Sequence, residues 1–353
     1  MRRQHGLRDR HEASSVWQRR RVYEMTDSTK TGSNRHVETY DPGYDGEIRS
    51  VRVPALAWEI AANLLLPPDF DENKQYPAVV CGHPIGSCKE QTAGSIYGAA
   101  LAKEGYVAIA FDASFQGESG GQPRFIEDPT QRAADFSHVV DYLVTQHFID
   151  ADRIAVLGVC GSGGYCINSA MTERRFKAVV SVTGVNFGRL MNEEFSQFDP
   201  VGALEQMAAQ RTAEARGGEA KVNNYLPDSP DAAEKSGATE VDLYEATLYY
   251  RTPRGEQPNG ATRALFSYQS KAVGWDAFNR AEKLLTQPLL VAIGDVPGAF
   301  GAYRDGREIY RRAASKDKEL VEIAGGTHYD LYDEKNAVTQ ILDRAIPFLA
   351  EHV

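Results

Sequence analysis

The sequence predicts a doubly wound α/β fold, an eight-stranded, mostly parallel sheet with helices on both faces and a helical cap insertion. Three observations predict it. Short apolar runs recur along the chain, several ending in Gly or Asp; helical patterns fall between them; and the alternation breaks once, over 186–286. Strands buried on both faces of a parallel sheet read as continuous apolar runs, and their alternation with helices gives layers on both sides.

The elements follow in order. "EIRSVRV" (47–53) and "WEIAANLLLP" (58–67) read as an opening antiparallel pair. "YPAVVCG" (76–82), "YVAIAFD" (106–112), "RIAVLGV" (153–159), "AVVSVTG" (178–184), "PLLVAIG" (288–294) and "ELVEIAG" (319–325) supply the rest. The helical pattern "EQTAGSIYGAALAKEG" ends in Gly105, a suitable residue just past a helix C-terminus. Asp128-Pro129 reads as an N-cap followed by proline at the first helical position, with Phe136, Val139, Val140 and Leu143 on one stripe beyond it. "DEKNAVTQILDRAIPFLAEHV" reads as a closing helix containing Pro347.

Residues 41–185 and 287–353 thus form the expected core, with 186–286 as a cap too long to be a loop. The cap carries Tyr225, Tyr244, Tyr249, Tyr250, Phe266, Tyr268, Trp275 and Phe278, expected mainly as its own core. Residues 1–40, rich in Arg and poor in apolar groups, read as a disordered tail, with Met25 a candidate start.

A net charge of −10 argues against general nucleic-acid binding. No apolar run approaches the ~18 residues that cross a bilayer. Four cysteines, at 81, 88, 160 and 166, are too few for a disulfide scaffold and match no common zinc spacing, so a reduced, cytoplasmic setting is expected. A small acyl substrate is the expected partner, with a homodimer left open and neither metal nor cofactor required.

The most informative stretch is "RIAVLGVCGSGGYC" (153–166). Cys166 stands where G-x-G-x-x-G needs glycine, and no G-K-[ST] follows, which disfavours a phosphate cradle. A nucleophile on a tight strand-to-helix turn needs small residues two before and two after it. Gly158 and Ser162 satisfy this around Cys160; Cys160 and Gly164 satisfy it around Ser162. Cys160 directly follows the apolar run and is the favoured nucleophile, with Ser162 the alternative.

In such folds the order is nucleophile, acid, histidine. Asp295, at the tip of the penultimate strand, and His328, after the last, complete that order; Asp305 is the alternative acid, and Asp333 is expected to cap the final helix. An imidazole and a helix N-terminus should lower the thiol pKa. The N–H groups of Gly161 and Ile85 are the expected oxyanion donors, Pro84 having none to give. "FDASFQGESGG" (111–121) reads as a turn shaping the site floor, Asp112 preceding the nucleophile.

With these residues in place, the chain from about 45 to its end resembles the α/β-hydrolases. "GHPIGSCKEQTAG", "FDASFQGESGGQPR", "LGVCGSGGY" and "GTHYDLYD" resemble a branch containing bacterial hydrolases and fungal polyketide transferases, with dienelactone hydrolase more distant. The resemblance implies Cys160 as nucleophile, as Cys is in dienelactone hydrolases; Asp295 departs from the commonest acid placement. The expected function is hydrolysis of an ester, thioester or lactone through Cys160, His328 and Asp295. An acyl or polyketide transferase with the same residues and a non-catalytic binding module are the alternatives.

Overall fold

The computed structural model describes residue 32 and residues 36–353. Among the described residues ten strands form: β1 (Ile48–Pro54), β2 (Glu59–Leu65), β3 (Tyr76–Gly82), β4 (Val107–Phe111), β5 (Ile149–Val159), β6 (Phe176–Val182), β7 (Val222–Asn224), β8 (Arg263–Leu265), β9 (Leu289–Gly294) and β10 (Lys318–Ile323). Eight make one sheet in the order β1-β2-β4-β3-β5-β6-β9-β10, while β7 and β8 pair separately. β2 is antiparallel to both β1 and β4, and all other neighbours in the large sheet are parallel. The expected eight-stranded, mostly parallel sheet is therefore observed.

The parallel strands are buried on both faces because helices cover both. Val79, Ile109, Val156, Val180 and Leu290 are fully buried. Pro129–Leu143 is helical, Asp128 accepting the Thr130 N–H at 3.0 Å, and its Phe136, Val139, Val140 and Leu143 stripe is inside. The helical pattern after Gln91 begins as one wide turn, Ala93–Gly98, before Ala99–Lys103 becomes α-helical. The final helix runs Lys335–His352, but Glu334, not Asp333, caps it, accepting from Asn336 and Ala337.

Parallel strands bring their C-terminal ends to one edge, where loops collect functional groups. Ile85, Cys160, Thr183, Asp295 and His328 all follow strands there. Between β6 and β9 the chain adds short helices, including Pro200–Ala215 and Val241–Tyr250, and no strand of the large sheet. The helix Val241–Tyr250 lies over that edge: Tyr249 packs on Tyr329 and Tyr332, centroids 6.1 and 5.0 Å away, and Tyr250 on Tyr329 at 6.3 Å.

The expected tail falls mostly outside the described residues, as does Met25. Residues 36–40 do not conform to it: Thr39 bridges Glu334, Tyr40 donates to the Asp333 carbonyl, and Glu38 accepts from Lys335. Among the described residues no helix is long and apolar enough to cross a membrane.

Candidate active site

The turn after β5 is as cramped as its glycines suggest. Cys160 sits between Val159, the last strand residue, and Gly161, the first of the helix Gly161–Thr172, at φ 56°, ψ −121°. Such a backbone is rare for a side-chain-bearing residue and costs on the order of 1–3 kcal/mol unless its surroundings impose it. Here they do. The Cys160 N–H donates to the Val182 carbonyl at 3.0 Å, and its own carbonyl accepts from Gly163 at 2.8 Å and Val185 at 3.0 Å. A Cβ on Gly158 would meet the Ser162 carbonyl oxygen at 2.0 Å, and one on Gly161 would meet Ile85 Cγ1 at 2.4 Å. Glycine is therefore required on both sides of the thiol.

Ser162 does not share the position at the turn. Its buried hydroxyl donates to the His83 carbonyl at 2.6 Å and accepts from Arg132 Nη2 at 3.0 Å. With both bonds committed, it fastens the loop after β3 to the elbow and is not free to attack. Ser162→Ala is expected to retain turnover while lowering unfolding stability by roughly 1–3 kcal/mol, the cost of leaving buried partners unpaired; a urea titration checks this.

The sulfur of Cys160 faces polar groups within an otherwise apolar surround. Burial pushes its thiol up to about 11, opposed by the Tyr332 hydroxyl and the N–H groups of Gly161 and Ile85. The expected lowering of this pKa is thus not found: desolvation outweighs the donors while the site is closed. The two backbone donors predicted for an oxyanion are the two that face the sulfur.

His328 is buried, and desolvation lowers its pKa to about 3. Its Nδ1 lies 2.8 Å from the Thr183 hydroxyl, while Nε2 has no hydrogen-bond partner. Phe300, Tyr329 and Tyr332 enclose the ring, with centroids 5.5, 5.0 and 5.4 Å away. Tyr332 therefore touches both the histidine and the environment of the thiol. Its hydroxyl and that of Tyr250 are likewise buried without a well-formed hydrogen bond. Each such group costs about 1–3 kcal/mol in a folded protein. Three of them thus lie in the cluster of side chains around Cys160, Tyr332 and His328.

The acid expected from sequence does not reach the ring. Asp295 is exposed and accepts the Gly325 N–H at 2.7 Å, tying the loops after β9 and β10 together at the surface. Asp305 is buried but taken by Arg189, at 2.6 Å from Nε, and by the Asn186 N–H at 2.8 Å. Asp333 forms a two-pronged pair with Arg254, which explains why it does not cap the last helix. Asp295→Asn is expected to leave kcat/KM within about threefold of wild type, as at other exposed positions; steady-state kinetics tests this.

Two groups the sequence reading missed stand here instead. Thr183 falls inside an apolar run, but β6 ends at Val182 and Thr183 turns away at φ 43°. Asp242, in the helix Val241–Tyr250, lines a small cavity together with Thr183 and His328. A carboxylate arriving from an insertion leaves no mark at a strand end, so spacing could not reveal it.

Asp112 holds the floor loop, accepting from the N–H groups of Lys89 and Glu118, both at 2.8 Å. Donor atoms of Cys88, Glu90 and Asp112 lie within 4.8 Å of one another, but the Lys89 ammonium already bridges Glu90 at 2.6 Å and Asp112 at 3.2 Å. A cation would have to displace it.

Known proteins resemble this chain in sequence and fold. The prolyl oligopeptidase family profile matches residues 98–225. YcjY of Escherichia coli K12 is 38% identical over 296 residues, covering 83% of this chain and 94% of its own. PA2218 of Pseudomonas aeruginosa is 32% identical over 301 residues, 83% of this chain and 77% of that one. Its crystal structure superposes with a TM-score of 0.77 over 94% of this chain and 99% of that one, at 28% identity. The α/β-hydrolase GrgF from Penicillium sp. sh18 has a TM-score of 0.71 at 18% identity, over 87% of this chain and 99% of that one, a likeness of fold. The sheet order, the elbow and these similarities together place the chain in the α/β-hydrolase family, in the group that includes YcjY and PA2218.

Proposed function

We propose that the protein hydrolyses an ester, thioester or lactone through a covalent acyl-enzyme on Cys160. The observation that carries the reading is a strained, positive-φ cysteine whose sulfur faces two backbone N–H groups and Tyr332, whose ring packs in turn on His328, a histidine with no partner on Nε2.

With the thiol raised and the imidazole lowered, the resting pair is a neutral thiol and a neutral imidazole. The thiol proton passes to His328 Nε2 as the sulfur bonds to the carbonyl carbon, and the N–H groups of Gly161 and Ile85 receive the oxyanion. The imidazolium returns its proton to the leaving alkoxide or thiolate. Water, deprotonated by the same nitrogen, then releases the acid and restores the thiol. Acyl transfer to an alcohol is the second reading, favoured by one observation: Cys160 is only 6% exposed, with Tyr250 and Tyr332 close by, which limits the access of bulk water to an acyl-enzyme.

Rapid quenching after mixing with a p-nitrophenyl ester or an acyl thioester, followed by peptide mass spectrometry, tests the reading. An acyl adduct on Cys160 is expected, and steady turnover without any adduct there counts against it. An added alcohol acceptor separates the two outcomes by product. The pH dependence is a further expectation. Because His328 titrates near 3, kcat/KM should show no acid limb near 6.5, the ordinary histidine value.

A further inference from the structure

We infer that Asp242, carried by the insertion and not by a strand end of the sheet, orients the His328 imidazole through the Thr183 hydroxyl. The inference rests on the reading of His328 as the base and supplies the positioning group that Asp295 does not.

The base needs a lone pair on Nε2, so its proton must sit on Nδ1. Among the described residues, the group hydrogen-bonded to Nδ1 is the Thr183 hydroxyl, which can accept that proton's hydrogen bond or donate one of its own. If the hydroxyl donates, Nε2 carries the hydrogen and cannot take a proton from the thiol. What decides is whether the hydroxyl has another acceptor for its proton.

Asp242 provides one. Its side chain faces a cavity of ≈ 10 Å³ that Thr183 and His328 also line. No direct hydrogen bond joins Thr183 to Asp242, and the cavity has about the room of one water, so the link we infer runs through a single molecule. Asp242 Oδ2 accepts the Phe300 N–H at 2.7 Å, which leaves lone pairs on Oδ1 for the hydroxyl. The groups facing this carboxyl are Glu240 in the turn before its helix, Glu245 on the same helix, and Glu194 from the turn Met191–Phe195. Burial, reinforced by their charges, raises its pKa well above the ordinary carboxylate range, and in the neutral form the carbonyl oxygen of the carboxyl still accepts. Nδ1–H to Thr183 Oγ1, and Thr183 O–H to Asp242, is the order that leaves Nε2 open.

An asparagine at 242 would keep its oxygen on the Phe300 N–H and turn its amide toward the hydroxyl. The amide can only donate, so the hydroxyl would donate to Nδ1 and move the ring proton to Nε2.

Nitrogen-15 chemical shifts of His328 in the full-length protein read this directly. In the wild type, Nε2 is expected at the lone-pair (pyridine-type) position. In D242N the proportion carrying hydrogen on Nε2 should rise severalfold, and kcat should fall on the order of 10²- to 10⁴-fold, the upper end matching a wrong-tautomer triad. T183V, which preserves shape and removes the hydroxyl, guards against a folding failure at 242 and should also lose the wild-type bias. A folded D242N or T183V with an unchanged His328 tautomer overturns the inference. Full turnover by Cys160→Ala would instead overturn the nucleophile reading, leaving the tautomer result to stand by itself.

Discussion

Cys160→Ala is expected to abolish turnover of an activated ester or thioester, with a loss on the order of 10⁴-fold or more in kcat, the scale seen when a nucleophile is removed from such a unit. Alanine lacks the sulfur but keeps the Cβ, and the bonds that fix the elbow are backbone bonds, from Cys160 N–H to Val182 and from Gly163 and Val185 to the Cys160 carbonyl. The variant should therefore unfold near the wild-type midpoint. Comparing it with Ser162→Ala on one substrate isolates the chemistry. A variant at 160 with substantial activity, paired with a dead one at 162, would reverse the assignment.

His328→Gln carries the second largest expected effect, a fall in kcat of roughly 10²- to 10⁴-fold, the usual range for a lost general base. Glutamine approximates the ring's reach and can still meet the Thr183 hydroxyl, but it takes no proton from a thiol. Because that thiol is pushed up to about 11, the variant should recover activity as pH rises toward that value, where hydroxide replaces the base. The wild type should show no such climb. Stopped assays of both proteins from pH 6 to about 10 test this. Parallel profiles would mean that His328 does not take the proton.

The sheet was legible in the sequence because buried parallel strands leave little choice of residue. "YPAVVCG", "RIAVLGV" and "PLLVAIG" each become strands within a residue or two of their expected limits. The elbow was legible for a steric reason, since Gly158 and Gly161 stand where any Cβ would collide. Cys160, Gly161, Ile85 and His328 could each be placed after a strand from the sequence, with Cys160 preferred to Ser162 because it directly follows the apolar run. The acid could not. Asp295 has the right place in the chain, but its carboxylate turns outward to Gly325. Asp242 has no positional signature, since it comes to line a cavity with Thr183 and His328 only when the insertion folds back over the sheet. Distance along the chain hid the thiol's raised pKa as well: local sequence announces a helix N-terminus, whereas the neighbouring tyrosines come from residues 250, 329 and 332.

Arg254 follows the helix that bears Tyr249 and Tyr250, and it grips Asp333 and the Tyr329 carbonyl, 3.0 Å from Nη2. The covering layer and the histidine's own loop are thereby strapped to each other. A bulky molecule that pries the cover up must tug on the very segment that sets the imidazole. Breadth of diet and alignment of the machinery then oppose each other mechanically, and loosening the strap should widen what is admitted at the expense of speed.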